Sequence, residues 1–155
     1  MPERTVVTNR RARREYFIED TYEAGLVLTG PEIKSVRAGR ANLQDSYVVI
    51  REGEAWLLNA HIAPYKHASH QDHEPKRERK LLLHRLQLDR LAGKVQAKGY
   101  TIIPLRLYLR NNLAKVEIAL AKGKKLYDKR ADVAKREAQR EMERALRRGG
   151  RNGVR

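Results

Sequence analysis

The chain has no cysteine at any of its 155 positions, which excludes a disulfide framework and any thiolate metal site and fits a cytoplasmic protein. It lacks an apolar run near the roughly 18 residues that a spanning helix requires. Its first residues, MPERTVVTNRRARREY, contain no apolar segment of the kind a secretory signal carries, so none is expected. Glycine-rich phosphate loops and nucleophile elbows are missing too. Four of the five histidines, His61, His67, His70 and His73, fall within thirteen residues, with Asp72 and Glu74 nearby. Without cysteines or an HxH or HExxH pair, their expected role is a solvated polar loop and not a metal site. A Mg²⁺-dependent nuclease would need convergent carboxylates, whereas Asp45, Asp72 and Asp89 are scattered over different expected elements. No enzyme activity, metal or cofactor is expected.

What the chain has in excess is positive charge. Hydrophobic residues make up 41% and charged residues 34%, against about 25% charged in an average soluble domain. Lys and Arg number 34 against 19 Asp and Glu, giving +15 and a pI near 10.4, a balance that predicts a polyanionic partner. The excess sits at the ends: residues 1–14 hold five Arg against one Glu, and residues 122–155 hold thirteen Lys or Arg against five Asp or Glu. A nearly neutral globule with two basic extensions results. A membrane surface is the weaker partner, because the C-terminal stretch lacks bulky Trp, Phe or Leu along one face.

Periodicity gives the body a mainly β reading. Tyr16 to Thr29 (YFIEDTYEAGLVLT) predicts two strand segments with a bend at Gly25. In TGPEIKSVRAGR, Thr29 and Glu32 have capping-box spacing, Pro31 falls in the first turn and Gly39 can close the C-terminus, predicting a helix of about two turns. QDSYVVIR (44–51) and EAWLLNA (54–60) form a hairpin across Glu52-Gly53, and HIAPY extends it to Pro64. Residues 66–80 read as an exposed loop. From Leu81 the pattern turns helical, with Leu88, Leu91, Ala92 and Val95 on one face and Gly99 as the stop. In 101–110, Ile103, Leu105, Leu107 and Leu109 alternate with Pro104, Arg106, Tyr108 and Arg110, and Asn111-Asn112 leads into a second hairpin. About six short strands with two inserted helices point to an OB-like antiparallel barrel. The expected division is a basic arm at 1–15, the barrel at 16–127 and a basic tail at 128–155.

In the tail, Ala131, Ala134, Ala138, Met142 and Ala145 have helical spacing but bury little area, so the tail is predicted to be disordered when free and helical when docked on a polyanion. The i,i+4 pairs Asp132/Arg136 and Glu143/Arg147 add only about 0.2 to 0.5 kcal/mol each. Two clusters carry nucleic-acid chemistry. Arg10, Arg11, Arg13 and Arg14 bring guanidiniums that bind phosphate bidentately and stack on bases. Lys122, Lys124 and Lys125 surround Gly123, which lets backbone approach a phosphate, and Tyr127 offers a face to an unpaired base. Asp128 either makes a contact there or caps a helix starting at Lys129.

The blocks NRRARREYFIEDTYEAGLVLTGPEIKSVRAGRANLQDSY, GEAWLLNAHIAPY, RKLLLHRLQLDRLAGKVQAKGYTIIPLRLY and AKVEIALAKGKKLYDKR resemble the SsrA-binding protein (small protein B) family, from about Asn9 to Arg130. The resemblance implies an OB-like barrel that binds the tRNA-like domain of transfer-messenger RNA (tmRNA) and delivers it to stalled ribosomes for trans-translation, catalysing nothing itself. It implies that Asn9, Arg11, Arg13, Glu23, Lys34, Arg37, Lys122, Lys124 and Lys125 meet the RNA. Tyr127, Asp128, Lys129 and Arg130 would lie near the decoding centre of the small subunit, with the tail in the empty mRNA channel. Implied partners are tmRNA, the ribosome and, through the RNA, alanyl-tRNA synthetase and elongation factor Tu; the protein would act as a cytoplasmic monomer. Some members carry histidine where Tyr127 stands, and Arg14 replaces a histidine often found there. The alternatives are a general structured-RNA-binding or ribosome-associated OB protein, and a metal-dependent nuclease using the histidine loop.

Overall fold

Both hairpin turns expected from the sequence occur in the computed structural model, which describes residues 3–65, 74–124 and 136–146. Glu52 and Gly53 adopt φ of 51 and 73°, Asn111 and Asn112 φ of 51 and 66°. Consecutive left-handed residues of this kind match the right-handed twist of the strands they join. In chain order the first unit, Met1–Gly123, contains β1 (Glu3–Thr8), α1 (Ala12–Glu15), β2 (Tyr16–Leu26), α2 (Gly30–Arg37), β3 (Ala41–Asn42), β4 (Tyr47–Arg51), β5 (Glu54–Leu58), β6 (His61–Ile62), β7 (Arg79–Leu82), α3 (Arg85–Lys94), β8 (Tyr100–Arg110) and β9 (Leu113–Gly123). The second, Lys124–Arg155, contains helix α4 over residues 136–146.

The main sheet runs β1-β8-β4-β5-β7-β2-β9, and β9 pairs back onto β8. Six strands thereby close an antiparallel barrel, with β1 alongside the far half of β8. The mainly β, OB-like class expected from the sequence is the observed one. Inside, Val36, Leu57, Leu91, Val116 and Ile118 belong to one continuous core to which both α2 and α3 contribute. A smaller cluster on the opposite side of the wall, Ala12, Ile103, Leu105, Ala119 and Ala121, is capped by α1.

The second cluster explains one departure from the expected alternation. A bulge between Pro104 and Arg106 puts an extra residue into β8, so Leu107 and Leu109 join the main core while Ile103 and Leu105 join the smaller one. Proline is tolerated at such a bulge because the ladder already loses a donor there.

Other departures are equally local. Residues 3–8, expected within a basic arm, form β1 paired with β8. Tyr16–Leu26 is one strand with a bulge between Ile18 and Thr21; Gly25 makes no bend and lies within it, paired with Leu82 of β7 and Lys115 of β9. The expected loop ends early, in β7, whose pairing with β2 and β5 takes up Arg79 to Leu82. Helix α3 stops at Lys94, and Gly99, at φ 88°, instead turns the chain into β8. Helix α2 keeps its expected capping box: Glu32 N–H donates to Thr29 Oγ1 and Thr29 N–H to Glu32 Oε1. Residues 136–146 are helical and exposed throughout, in line with the helical spacing of the tail; strong helix formers and Glu137/Arg140 and Glu141/Arg144 spacing favour it.

Candidate nucleic-acid interface

Asn9 anchors the arginine cluster. Its N–H donates to the Leu105 carbonyl at 2.8 Å and its side-chain amide to the Pro104 carbonyl at 3.0 Å, tying the end of β1 to the bulge of β8. Ala12, buried in the smaller cluster, is the apolar peg of the same loop. Around these fixed points Arg10, Arg11, Arg13 and Arg14 are exposed. Three adjoining hollows share these residues. The first, of about 330 Å³, is lined by Asn9 and Arg11 with Tyr16, Asp45 and Tyr47; the second, about 270 Å³, by Arg10, Arg14, Asn42 and Gln44; the third, about 280 Å³, by Arg10, Arg13, Arg106 and Glu117. Guanidiniums around a furrow with tyrosine at one end suit a phosphate backbone with an unpaired base.

The third hollow leads to the sheet face that carries Glu23. Glu23 on β2 stands opposite Glu117 on β9, and its carboxylate accepts from the Tyr108 hydroxyl and from Nη1 of Arg110 at 2.9 Å. Arg110 also donates to Glu3 at 3.0 Å. Arg106 lies over the Tyr108 ring at 4.0 Å and pairs with Glu3 and Glu117 at 3.5 and 3.6 Å. The Tyr108 hydrogen bond, against the opposing effect of burial, and the charges of Arg110 and Lys115 hold the Glu23 carboxyl below the usual carboxylate range. Burial, then the Glu23 hydrogen bond and charge, push the Tyr108 hydroxyl up. Sequence alternation placed Tyr108 on the solvent side; it is 2% exposed, because Arg106 covers it. The sequence reading also missed Arg106 and Arg110, whose signal was alternation of cations on β8 between glutamates on neighbouring strands.

The remaining expected contacts are spread over other elements. On α2, Lys34 sits 5.4 Å from the Tyr65 ring centroid, and the Arg37 carbonyl accepts from Arg4 at 2.8 Å beside a hollow of about 580 Å³ that includes Asn111 and Asn112. Lys122 on β9 lies 5.6 Å from the Tyr100 ring centroid. Lys124, half-buried, opens the second unit. Lys125, Tyr127, Asp128, Lys129 and Arg130 lie outside the described residues, as do His67, His70, His73 and Asp132. Among the described residues no three His, Cys, Asp or Glu are grouped to hold a metal ion, and no helix is long and apolar enough to cross a membrane.

What fixes α2 was invisible in the sequence. Glu32, the capping-box residue, is fully buried and bonds Arg77 at 2.7 Å and Arg79 at 2.6 Å. Arg79, equally buried, donates onward to the carbonyls of Ala60 at 2.9 Å and Pro75 at 3.1 Å. Burial opposes ionisation of Glu32, but hydrogen bonds from Arg77, the Thr29 N–H and Arg79 outweigh it and hold the pKa at about 2. A buried charge pair with its remaining donors satisfied orients the helix that bears Lys34 and Arg37.

A family model described as SmpB protein matches residues 6–148. The SsrA-binding protein of Roseiflexus sp. (strain RS-1) is 63% identical over 93% of this chain and 92% of its own length. That of Desulforudis audaxviator is 61% identical over 94% and 95%. A solved structure described as "tmRNA-SmpB: a journey to the center of the bacterial ribosome" aligns with a TM-score of 0.65 and 47% identity, covering 76% of this chain and 82% of the matched one.

Proposed function

This chain belongs to the SmpB protein family, and on that premise we propose that it binds the tRNA-like domain of tmRNA and brings it to stalled ribosomes in trans-translation. It is a binding protein and not an enzyme, as its family is. The observation that carries the reading is the furrow around Arg10, Arg11, Arg13 and Arg14, rigidly set by Asn9 and Ala12 on a barrel that is otherwise nearly neutral. Charge concentrated at fixed places orients a polyanion, whereas evenly spread charge would only attract it. Asn9, Arg11, Arg13, Glu23, Lys34, Arg37, Lys122, Lys124 and Lys125 are the proposed RNA contacts. Asn9 acts chiefly by holding its neighbours, since its amide already serves Pro104.

Tyr127, Asp128, Lys129 and Arg130 are proposed to meet the decoding centre, and the tail, including α4, to enter the empty mRNA channel. Its exposed helix supports this, because Arg136, Arg140 and Arg144 recur once per turn beside Glu137, Glu141 and Glu143 and leave three guanidiniums able to reach phosphate. The barrel, with residues 1–15 built into it through β1, and the tail at 128–155 thus divide the labour, in the cytoplasm and as a monomer. Contact with alanyl-tRNA synthetase and elongation factor Tu is indirect, through the RNA.

The test pairs two assays. Binding to the tRNA-like domain is measured against excess ordinary tRNA at near-physiological salt, and peptide tagging is measured on stalled ribosomes with and without residues 128–155. Retained binding together with lost tagging on truncation is expected. Displacement by ordinary tRNA would make the chain a general structured-RNA binder, and equal loss of both activities on truncation would overturn the division of labour.

A further inference from the structure

The face around Glu23 differs from the arginine furrow in its charge balance. Arg106, Arg110 and Lys115 meet Glu3, Glu23 and Glu117, so cations and carboxylates cancel. A balanced patch gives phosphate no reason to settle, and a fixed carboxylate repels it. Such a patch can still recognise hydrogen-bond donors, which on RNA are exocyclic amino groups and ribose 2′-hydroxyls.

Within the patch Glu23 is singled out. Its two oxygens take hydrogen bonds from Tyr108 and Arg110 on the β8 side, yet the side chain remains 37% exposed. An ionised carboxylate offers about four acceptor directions, so acceptors remain for a ligand. Bracing of the sheet does not require Tyr108, because Arg110 already joins Glu3 to Glu23 and Arg106 joins Glu3 to Glu117. The Tyr108 hydroxyl, on a ring buried under Arg106, adds direction: it fixes which lone pairs of Glu23 point away from the sheet.

We propose that Tyr108 and Arg110 are positioning residues that hold the Glu23 carboxylate as an oriented acceptor for an amino group or 2′-hydroxyl of the bound RNA. This rests on the reading of Glu23 as an RNA contact. The charged and titratable groups facing Glu23 are Glu117 and Lys115 from β9, Tyr108, Arg106 and Arg110 from β8 and, through Arg110, Glu3 from β1. Of these, the Tyr108 hydrogen bond is the strongest influence keeping the carboxyl ionised. Losing it moves the acid limb of RNA binding to higher pH.

The test uses the full chain and a transcribed tRNA-like domain of tmRNA, with Tyr108→Phe, Arg110→Met, Glu23→Ala and the Tyr108→Phe/Glu23→Ala pair. Thermal unfolding of each variant confirms folding, and Arg110→Met serves if Tyr108→Phe does not fold. Tyr108→Phe is expected to weaken binding about tenfold, the worth of one well-placed hydrogen bond, to shift the acid limb upward, and to have no further effect once Glu23 is alanine. RNA pools lacking either exocyclic amino groups or 2′-hydroxyls show which donor is read, at the position where interference vanishes with Glu23→Ala; no such position in either pool overturns the proposal. Equal weakening by Tyr108→Phe in both backgrounds also overturns it, as a merely structural role. If Glu23→Ala weakens binding while Tyr108→Phe leaves affinity and pH profile unchanged, the positioning role fails and the RNA contact stands. Parental binding by Glu23→Ala removes both.

Discussion

Glu32 and Glu23 are both glutamates held by arginine, and they serve opposite ends. Glu32 is fully buried between Arg77 and Arg79 with its backbone partner Thr29, so every acceptor is used inside the protein. Glu23 is gripped from one side only and keeps part of its carboxylate in solvent. The chemistry of the pair does not decide whether it locks a fold or meets a ligand; the number of lone pairs left over does. A buried pair is costly to break because its partner is stranded away from water, whereas an exposed pair is rehydrated.

The largest effect should come from breaking the buried member. Glu32→Gln strands the Arg79 charge and is expected to lower stability by about 3 to 5 kcal/mol in urea unfolding, with RNA affinity per folded molecule falling only as far as Lys34 and Arg37 on α2 are displaced. Acid should erase that contrast. The Glu32 carboxyl is lowered from 4.5 to about 2 in the folded chain, so its contribution, about 3 kcal/mol, is fully present above pH 4.5 and lost as pH falls through 2. The stability gap between the parent and Glu32→Gln should therefore narrow over that window. Glu23→Ala inverts the pattern: a stability change of about 1 kcal/mol or less accompanies the tenfold-scale loss of RNA binding. Smallest of all is Arg51→Ala. Arg51 pairs with half-exposed Glu78 and lies 5.5 Å from the Trp56 ring centroid, and its removal should cost roughly 0.2 to 1 kcal/mol with RNA affinity within twofold. An Arg51 effect on binding as large as that of Glu23 would dissolve the distinction between the two faces.

Local chemistry was legible in the sequence and long-range pairing was not. The capping box of Thr29 and Glu32, the Glu52-Gly53 turn and the Asn111-Asn112 turn each depend on residues within a few positions of one another, and all three are present. β1 was hidden because its Glu3 and Arg4 look like part of a basic end until Arg106 and Arg110 of β8 are placed beside it. β7 was hidden because Arg79 and Lys80 read as solvent-facing; the partners that bury Arg79 come from Glu32 and Ala60, distant in the chain. At the interface, the arginines at 10, 11, 13 and 14 stood out by composition alone. The roles of Asn9 and Tyr108 did not, because each acts through a bond to a strand about ninety residues away, a relation that no periodicity carries.

Arg79 has one more consequence. Its guanidinium joins the carbonyls of Ala60 and Pro75, and the Ile62 N–H returns to the same Pro75 carbonyl at 2.9 Å, so the chain that leaves the barrel at one point is fastened again where it re-enters. Because Ala60, Ile62 and Pro75 are held together in this way, doubling the length of chain between them would add only about 0.6 kcal/mol of closure entropy, so insertions at that point are expected to spare the barrel.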